Sequence, residues 1–192
     1  MEVKAKENQE SNRVFADGDT FYVLGVFDDQ MRDGLVWALT RKIDELKKQR
    51  EAKITVYINS YGGSGELCFH LVSLLELAKR NGIVVRTVVT GAAYSSGSIL
   101  AVVGTKGERY IDSAAEHLVH YGQFDGYRKT TPLQIERGTD RWKRWTKTVL
   151  KHYEKFADVP DLVDHMKDDD FFIPADKCIK WGLADKYMEE LQ

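Results

Sequence analysis

The chain has 192 residues, 28 Lys and Arg against 30 Asp and Glu for a net charge of −2, 43% hydrophobic and 30% charged residues. That length and balance predict one soluble domain with a full hydrophobic core and exclude a charge-driven affinity for nucleic acid or an anionic membrane. No apolar run approaches a membrane span, and the two cysteines, Cys68 and Cys178, read as small core residues rather than a disulfide framework or metal site.

In chain order, Met1–Gly18 reads as a flexible polar arm ahead of a single domain over residues 19–192. The arm has neither an apolar h-region nor an Arg/Ser-rich transit pattern, so the expected compartment is the cytoplasm. Thr20–Val26 is an apolar strand and Gln30–Lys48 an amphipathic helix. Ile54–Asn59 is a strand bounded by a glycine turn over Tyr61–Gly65, and Leu67–Arg80 is a helix with Gly82 as its stop. Ile83–Val89 is a buried strand running into a small-residue turn, and Ser96–Val103 is the next helix. Arg109–Asp112 and Leu118–Tyr121 are short strands. A long helix covers Pro132 to Phe156, another starts at Pro160, and Phe171–Ile173 leads into a helix over Pro174–Trp181 before a last strand around Ala184. Strands alternating with helices predict an α/β fold with a parallel-rich sheet covered on its faces.

Four features can carry chemistry. The first is Gly91-Ala92-Ala93-Tyr94-Ser95-Ser96-Gly97-Ser98. A strand, a tight turn and a helix start together lift a serine hydroxyl out of the fold beside free N–H groups. The same small residues also suit a merely tight turn, with Ser96 or Ser98 as an N-cap. The second is Asn59-Ser60-Tyr61-Gly62-Gly63-Ser64-Gly65, which lacks the spacing of a phosphate loop but suits a plain turn or an oxyanion hole, where backbone must approach a carbonyl without a Cβ in the way. The third is the pair His117 and His120, of opposite strand parity, so only one of them faces the serine, and the pattern alone does not say which. His70, His152 and His165 lie on charged helices and read as solvent-facing or capping. The fourth is Asp168-Asp169-Asp170, a run that opposes the helix dipole yet precedes the apolar Phe171-Phe172-Ile173, so a solvated loop and a functional acid both fit.

Taken together these segments resemble the proteolytic subunit of the Clp protease over Thr20 to Tyr187. TFYVLGVFDD is similar to that family's IIFLGGxVxD, ITVYINSYGGSG to IxxYINSPGGxxxxG, and GAAYSSGSIL to GxAASMGxxL. AAEHLVHYG resembles NSRxMIHQP, and DDDFFIPADKCIKWGLAD resembles ERDxFxSAxEAxEYGLxD. The resemblance implies a fold of the Clp-protease and crotonase-like kind, built of repeated β-β-α units with a protruding handle helix. It implies Ser95 as nucleophile, His120 as general base and Asp170 as its orienting acid, with His117 left to packing. By the same resemblance Gly63 and Ser96 supply oxyanion N–H groups, and Ser64, Gly65, Gln123, Phe124, Asp125 and Gly126 flank an extended peptide substrate. No metal or other cofactor is implied.

The implied activity is a serine endopeptidase acting inside a homo-oligomer of two stacked seven-membered rings. Ile135, Trp142, Trp145, Val149 and Phe156 supply a seam along the handle helix, and an AAA+ unfoldase is the implied partner. The chain departs from the family pattern at Tyr61, which replaces a proline, at Tyr94, which replaces a small residue, and at Tyr121-Gly122, which replace Gln-Pro. The arm lacks the family's apolar entry segment. Two rival readings remain: a catalytically silent structural subunit of the same fold, and a crotonase-fold enzyme acting on an acyl-CoA thioester.

Overall fold

The computed structural model describes residues 15–122, 131–168 and 170–191. Its frame is a twisted, mostly parallel sheet. β1 (Ala16–Asp17) and β2 (Thr20–Phe27) form a tight antiparallel pair. β3 (Lys53–Gly63), β4 (Val84–Tyr94), β5 (Arg109–Ile111) and β6 (Glu116–Val119) run parallel, followed by β7 (Phe171–Pro174) and β8 (Lys186–Tyr187). The main order is β1-β2-β3-β4-β5-β8, with β6 paired to β4 and β7 paired antiparallel to β6. Short helical segments α1 (Asp29–Met31) and α2 (Trp37–Leu46), joined by a π-helical turn at Arg32–Val36, follow β2. α3 (Gly65–Arg80) follows β3, α4 (Ser96–Ala101) follows β4, and the long α5 (Pro132–Phe156) precedes α6 (Leu162–Asp168) and α7 (Ala175–Lys180). This is the α/β architecture expected from the alternation of strand and helix patterns.

Strand alternation decides the core. In β3, Ile54, Val56, Ile58 and Ser60 are buried while Thr55, Tyr57, Asn59 and Tyr61 face the other side. The buried row meets Leu67, Cys68, Leu71 and Leu75 of α3 and Leu39 and Ile43 of α2 in one continuous core. Each such fully buried aliphatic side chain contributes about 1.5–3 kcal/mol. Cys68 and Cys178 are free and buried in this core, and burial raises both thiols. Arg109 is buried with Asp185, donating from Nε and Nη2 to its carboxylate and from Nη1 to the Gly182 and Phe156 carbonyls. One guanidinium thus satisfies the C-terminal turn and the end of α5 together.

Five expectations change. The small-residue and glycine segments are strand, because β3 runs on through Gly63 and β4 through Tyr94, each finding a parallel neighbour. The last strand lies at Lys186–Tyr187 rather than around Ala184, whose N–H is taken by the Cys178 carbonyl as part of the turn after α7. The arm expected up to Gly18 ends earlier in the described residues, since Ala16–Asp17 pairs with Phe21 and Thr20; residues 1–14 lie outside them. His152 is buried rather than solvent-facing, its Nε2 within 2.7 Å of the Ile99 carbonyl among Phe69, Tyr153 and Phe156. The α5 seam is split: Val149 is core, Trp145 and Phe156 are partly covered, and Ile135 is exposed.

His117 lies on the core side of β6, fully buried. The Tyr153 hydroxyl donates to Ser98 Oγ, which is hydrogen-bonded to His117 Nδ1 at 2.9 Å. Burial, with the Arg109 charge adding to it, takes this histidine from its ordinary 6.5 down to about 3. The unfolded chain takes up a proton that the folded chain refuses across that window, so the stability present above pH 6.5 is lost as pH falls towards 3. Thermal midpoints measured from neutral pH into the acid range are expected to fall, and His117→Gln, which keeps a hydrogen-bonding partner for Ser98, is expected to fall less steeply.

Candidate active site

Ser95 sits at the junction of β4 and α4 with φ 52° and ψ −116°. A non-glycine residue holds such a backbone at a cost of about 1–3 kcal/mol, and only where its surroundings over-determine it. Here they do. The Ser95 N–H donates to the Leu118 carbonyl at 2.9 Å, and the Ser95 carbonyl accepts from the Ile99 N–H at 3.1 Å as the first bond of α4. The chain turns within one residue from strand to helix, leaving Ser95 half-buried at the end of β4.

β3 makes the room. Gly62 has φ +94°, and a Cβ on it would lie 2.8 Å from Ser95 Cβ; Gly63 has φ +130°, and a Cβ there would lie 2.7 Å from the Phe27 carbonyl oxygen. The irregular register beside these glycines is stabilised by the preceding pair. Asn59 Oδ1 accepts from the Ala92 N–H at 3.0 Å, while Ser60 Oγ accepts from the Gly62 N–H and donates to the Gly25 carbonyl at 2.6 Å. Ser96 Oγ donates to the Gly63 carbonyl at 3.0 Å, fastening the start of α4 to the glycine strand.

β4 is long enough to pair with β5 over Thr87–Val89 and with β6 over Ala92–Tyr94. That second pairing brings His120, just past β6, to the Ser95 hydroxyl: Nε2 lies 2.7 Å from Ser95 Oγ. β7 pairs antiparallel to β6, with Val119 opposite Phe171, which puts Asp170 next to His120. Nδ1 of His120 lies 3.0 Å from Asp170 Oδ1. A carboxylate only accepts, so Nδ1 carries the proton and Nε2 is free to accept from the serine. The hydroxyl proton can pass to an imidazole whose tautomer the carboxylate maintains. The structure separates the two histidines that strand parity alone left equivalent: His120 reaches the serine and His117 packs in the core.

A cavity of about 790 Å³ opens beside Ser95 and His120, bordered by Gly63, Gly65, Ser96, Ile99, Trp142 and Trp145. Gly65 faces the Trp145 indole so closely that a Cβ there would overlap the ring. Trp145 in turn meets Phe69 edge-on at 5.1 Å. Ser64 does not border the cavity; its Oγ caps α3, accepting from the Leu67 N–H at 3.2 Å. Gln123, Phe124, Asp125 and Gly126 lie outside the described residues. Sequence reasoning missed the Arg141–Glu66 ion pair near the cavity and the bond from the Tyr94 hydroxyl to Glu116 Oε1 at 2.5 Å, because both join residues far apart in the chain. Glu116, with burial adding to it, pushes the Tyr94 phenol up to about 12. Among the described residues no group of three or more His, Cys, Asp or Glu side chains could hold a metal ion, and no helix is long and apolar enough to cross a membrane.

The glycines offer a direct test. Gly107 has φ +88° with nothing near a Cβ, so Gly107→Ala carries the backbone cost alone, about 1–2 kcal/mol. Gly62→Ala adds the clash with Ser95, and chemical denaturation is expected to show a larger loss for Gly62→Ala than for Gly107→Ala.

Residues 11–190 match the family described as Clp protease. ATP-dependent Clp protease proteolytic subunit 1 of Shouchella clausii is 27% identical over 165 residues, which is 83% of this chain and 81% of the relative. The corresponding subunit 1 of Bifidobacterium longum is 29% identical over 184 residues, 94% of this chain and 75% of the relative. Subunit 1 of Leifsonia xyli is 29% identical over 178 residues, 85% and 87% of the two chains. With a family match across nearly its whole length and an α/β fold consistent with it, the chain belongs to the Clp protease family.

Proposed function

We propose that the protein is a serine endopeptidase in which Ser95 Oγ attacks a peptide carbonyl, His120 takes the hydroxyl proton and returns it to the leaving amine, and Asp170 holds the imidazole in the productive tautomer. The observation that carries this reading is the continuous line from Ser95 Oγ to His120 Nε2 at 2.7 Å and from His120 Nδ1 to Asp170 at 3.0 Å. The strained Ser95 backbone supports it, since such strain gathers where a side chain must be presented. Oxyanion stabilisation is assigned to the N–H groups of Gly63 and Ser96, each such donor being worth about 3 kcal/mol in the transition state.

The substrates in this reading are peptides or unfolded proteins, and the relatives' printed names, ATP-dependent Clp protease proteolytic subunit, support an ATPase partner. A homo-oligomer of stacked rings fits the exposed N-terminal half of α5, where Leu133 and Ile135 face solvent. The silent-subunit and acyl-CoA readings leave the Ser95–His120–Asp170 alignment without a use. Its compartment is assigned to the cytoplasm, and the segment Gln123–Gly126 to substrate binding.

Intact-mass analysis after fluorophosphonate treatment tests the nucleophile. One adduct per chain is expected on the wild type and none on Ser95→Ala; an adduct on Ser95→Ala would remove Ser95 from the role. Asp170→Asn is expected to lower kcat for peptide cleavage by about 10³- to 10⁴-fold, because the amide presents a donor to Nδ1 and inverts the tautomer.

A further inference from the structure

Directly beneath the Ser95–His120–Asp170 line, the open face of the sheet carries a row of rings. Tyr94 of β4 is opposite Leu118 of β6, and Leu118 is opposite Phe172 of β7. Ser60 pairs with Ala93, so Tyr61 comes level with Tyr94. Tyr61 meets Tyr94 edge-on with centroids 5.8 Å apart, and Tyr94 meets Phe172 at 5.6 Å and 90°. Leu118 lies two residues before His120 and Phe172 two residues after Asp170, so the shelf adjoins the histidine and the acid along the same two strands. Tyr61 is 68% exposed and Phe172 48%, while the Tyr94 hydroxyl is fastened to Glu116.

The shelf and the cavity lie on different sides of the nucleophile. The cavity is built against α4 and α5 on the helix-covered side, and neither Tyr94, Leu118 nor Phe172 borders it; Tyr61 stands at the junction of the two. An extended peptide sends successive side chains to opposite sides. With its scissile carbonyl at Ser95, the two residues joined by that bond therefore point one into the cavity and the other onto the shelf. We propose that Tyr61, Tyr94 and Phe172 form a second specificity subsite, taking a bulky apolar, preferably aromatic, side chain across the scissile bond from the residue seated in the cavity. The inference rests on the peptidase reading. The occupant's chemistry follows from the shelf: exposed ring surface invites edge or face contact with another ring, and the carboxylate of Glu116 beside it disfavours an acidic residue.

The test uses the full chain and quenched fluorescent peptides carrying Phe, Leu, Ala or Asp at each of the two positions flanking the cleaved bond. The wild type is expected to favour Phe and Leu at both positions. In Tyr94→Ala and in Phe172→Ala, the Phe-over-Ala ratio of kcat/KM is expected to fall about tenfold at one position and to hold at the other, as expected for loss of one apolar contact surface. A general defect lowers all peptides alike and leaves both ratios unchanged, so unchanged ratios in both variants overturn the subsite, as does an equal fall at both positions. Should Tyr94→Ala fail to fold, Phe172→Ala, at a half-exposed side chain that does not border the cavity, carries the comparison alone. A wild-type chain that forms no fluorophosphonate adduct overturns the peptidase reading and the subsite with it; labelling without a shelf-dependent ratio overturns the subsite alone.

Discussion

The site depends on the double pairing of β4. Its first half pairs with β5 in the middle of the sheet, and its last three residues pair with β6, which lies off the main strand order. That fork lets one strand present Ser95 at its end while a neighbour delivers His120 to the same point. β7, hydrogen-bonded to the far edge of β6, brings Asp170 level with both. The three side chains come from segments with little in common in sequence, and parallel and antiparallel registers align them.

The fork has a cost at each end, and the chain meets it with small residues and side-chain amides or hydroxyls. Ser95 takes a left-handed backbone because β4 must end abruptly and α4 begin at once. Gly62 and Gly63 take positive φ so that β3 can press against that turn and against Phe27. Asn59 and Ser60 supply hydrogen bonds that the disturbed ladder does not. Behind the turn, Tyr153 and His152 of α5 bond to Ser98 and Ile99 of α4, so the long helix is fastened to the element that carries the reacting serine. The cavity wall and the serine are thereby parts of one packed unit.

Around this unit aromatic side chains gather. Tyr61 and Tyr94 touch each other across β3 and β4. Phe172 extends their row. With Trp142 and Trp145 bordering the cavity, aromatic surface lies on both sides of Ser95.

Much of this was legible in the sequence because it is local. Period-two and helical apolar patterns located β2, β3, α3 and the long α5, and opposite parity established that His117 and His120 face different sides. Small residues around Ser95 and the glycine pair marked the places where backbone must come close. What the sequence could not decide was set by pairing between distant segments. That the glycine and alanine runs are strand follows from neighbours they acquire only in the sheet. That His120 rather than His117 meets the serine, which strand parity left open and only resemblance pointed to, follows from the β4–β6 register, and that His152 is buried follows from the seat of α5 on α4. The Tyr61–Tyr94–Phe172 shelf has no signal in any window of sequence, because contact between rings on three strands exists only once long-range registers are fixed.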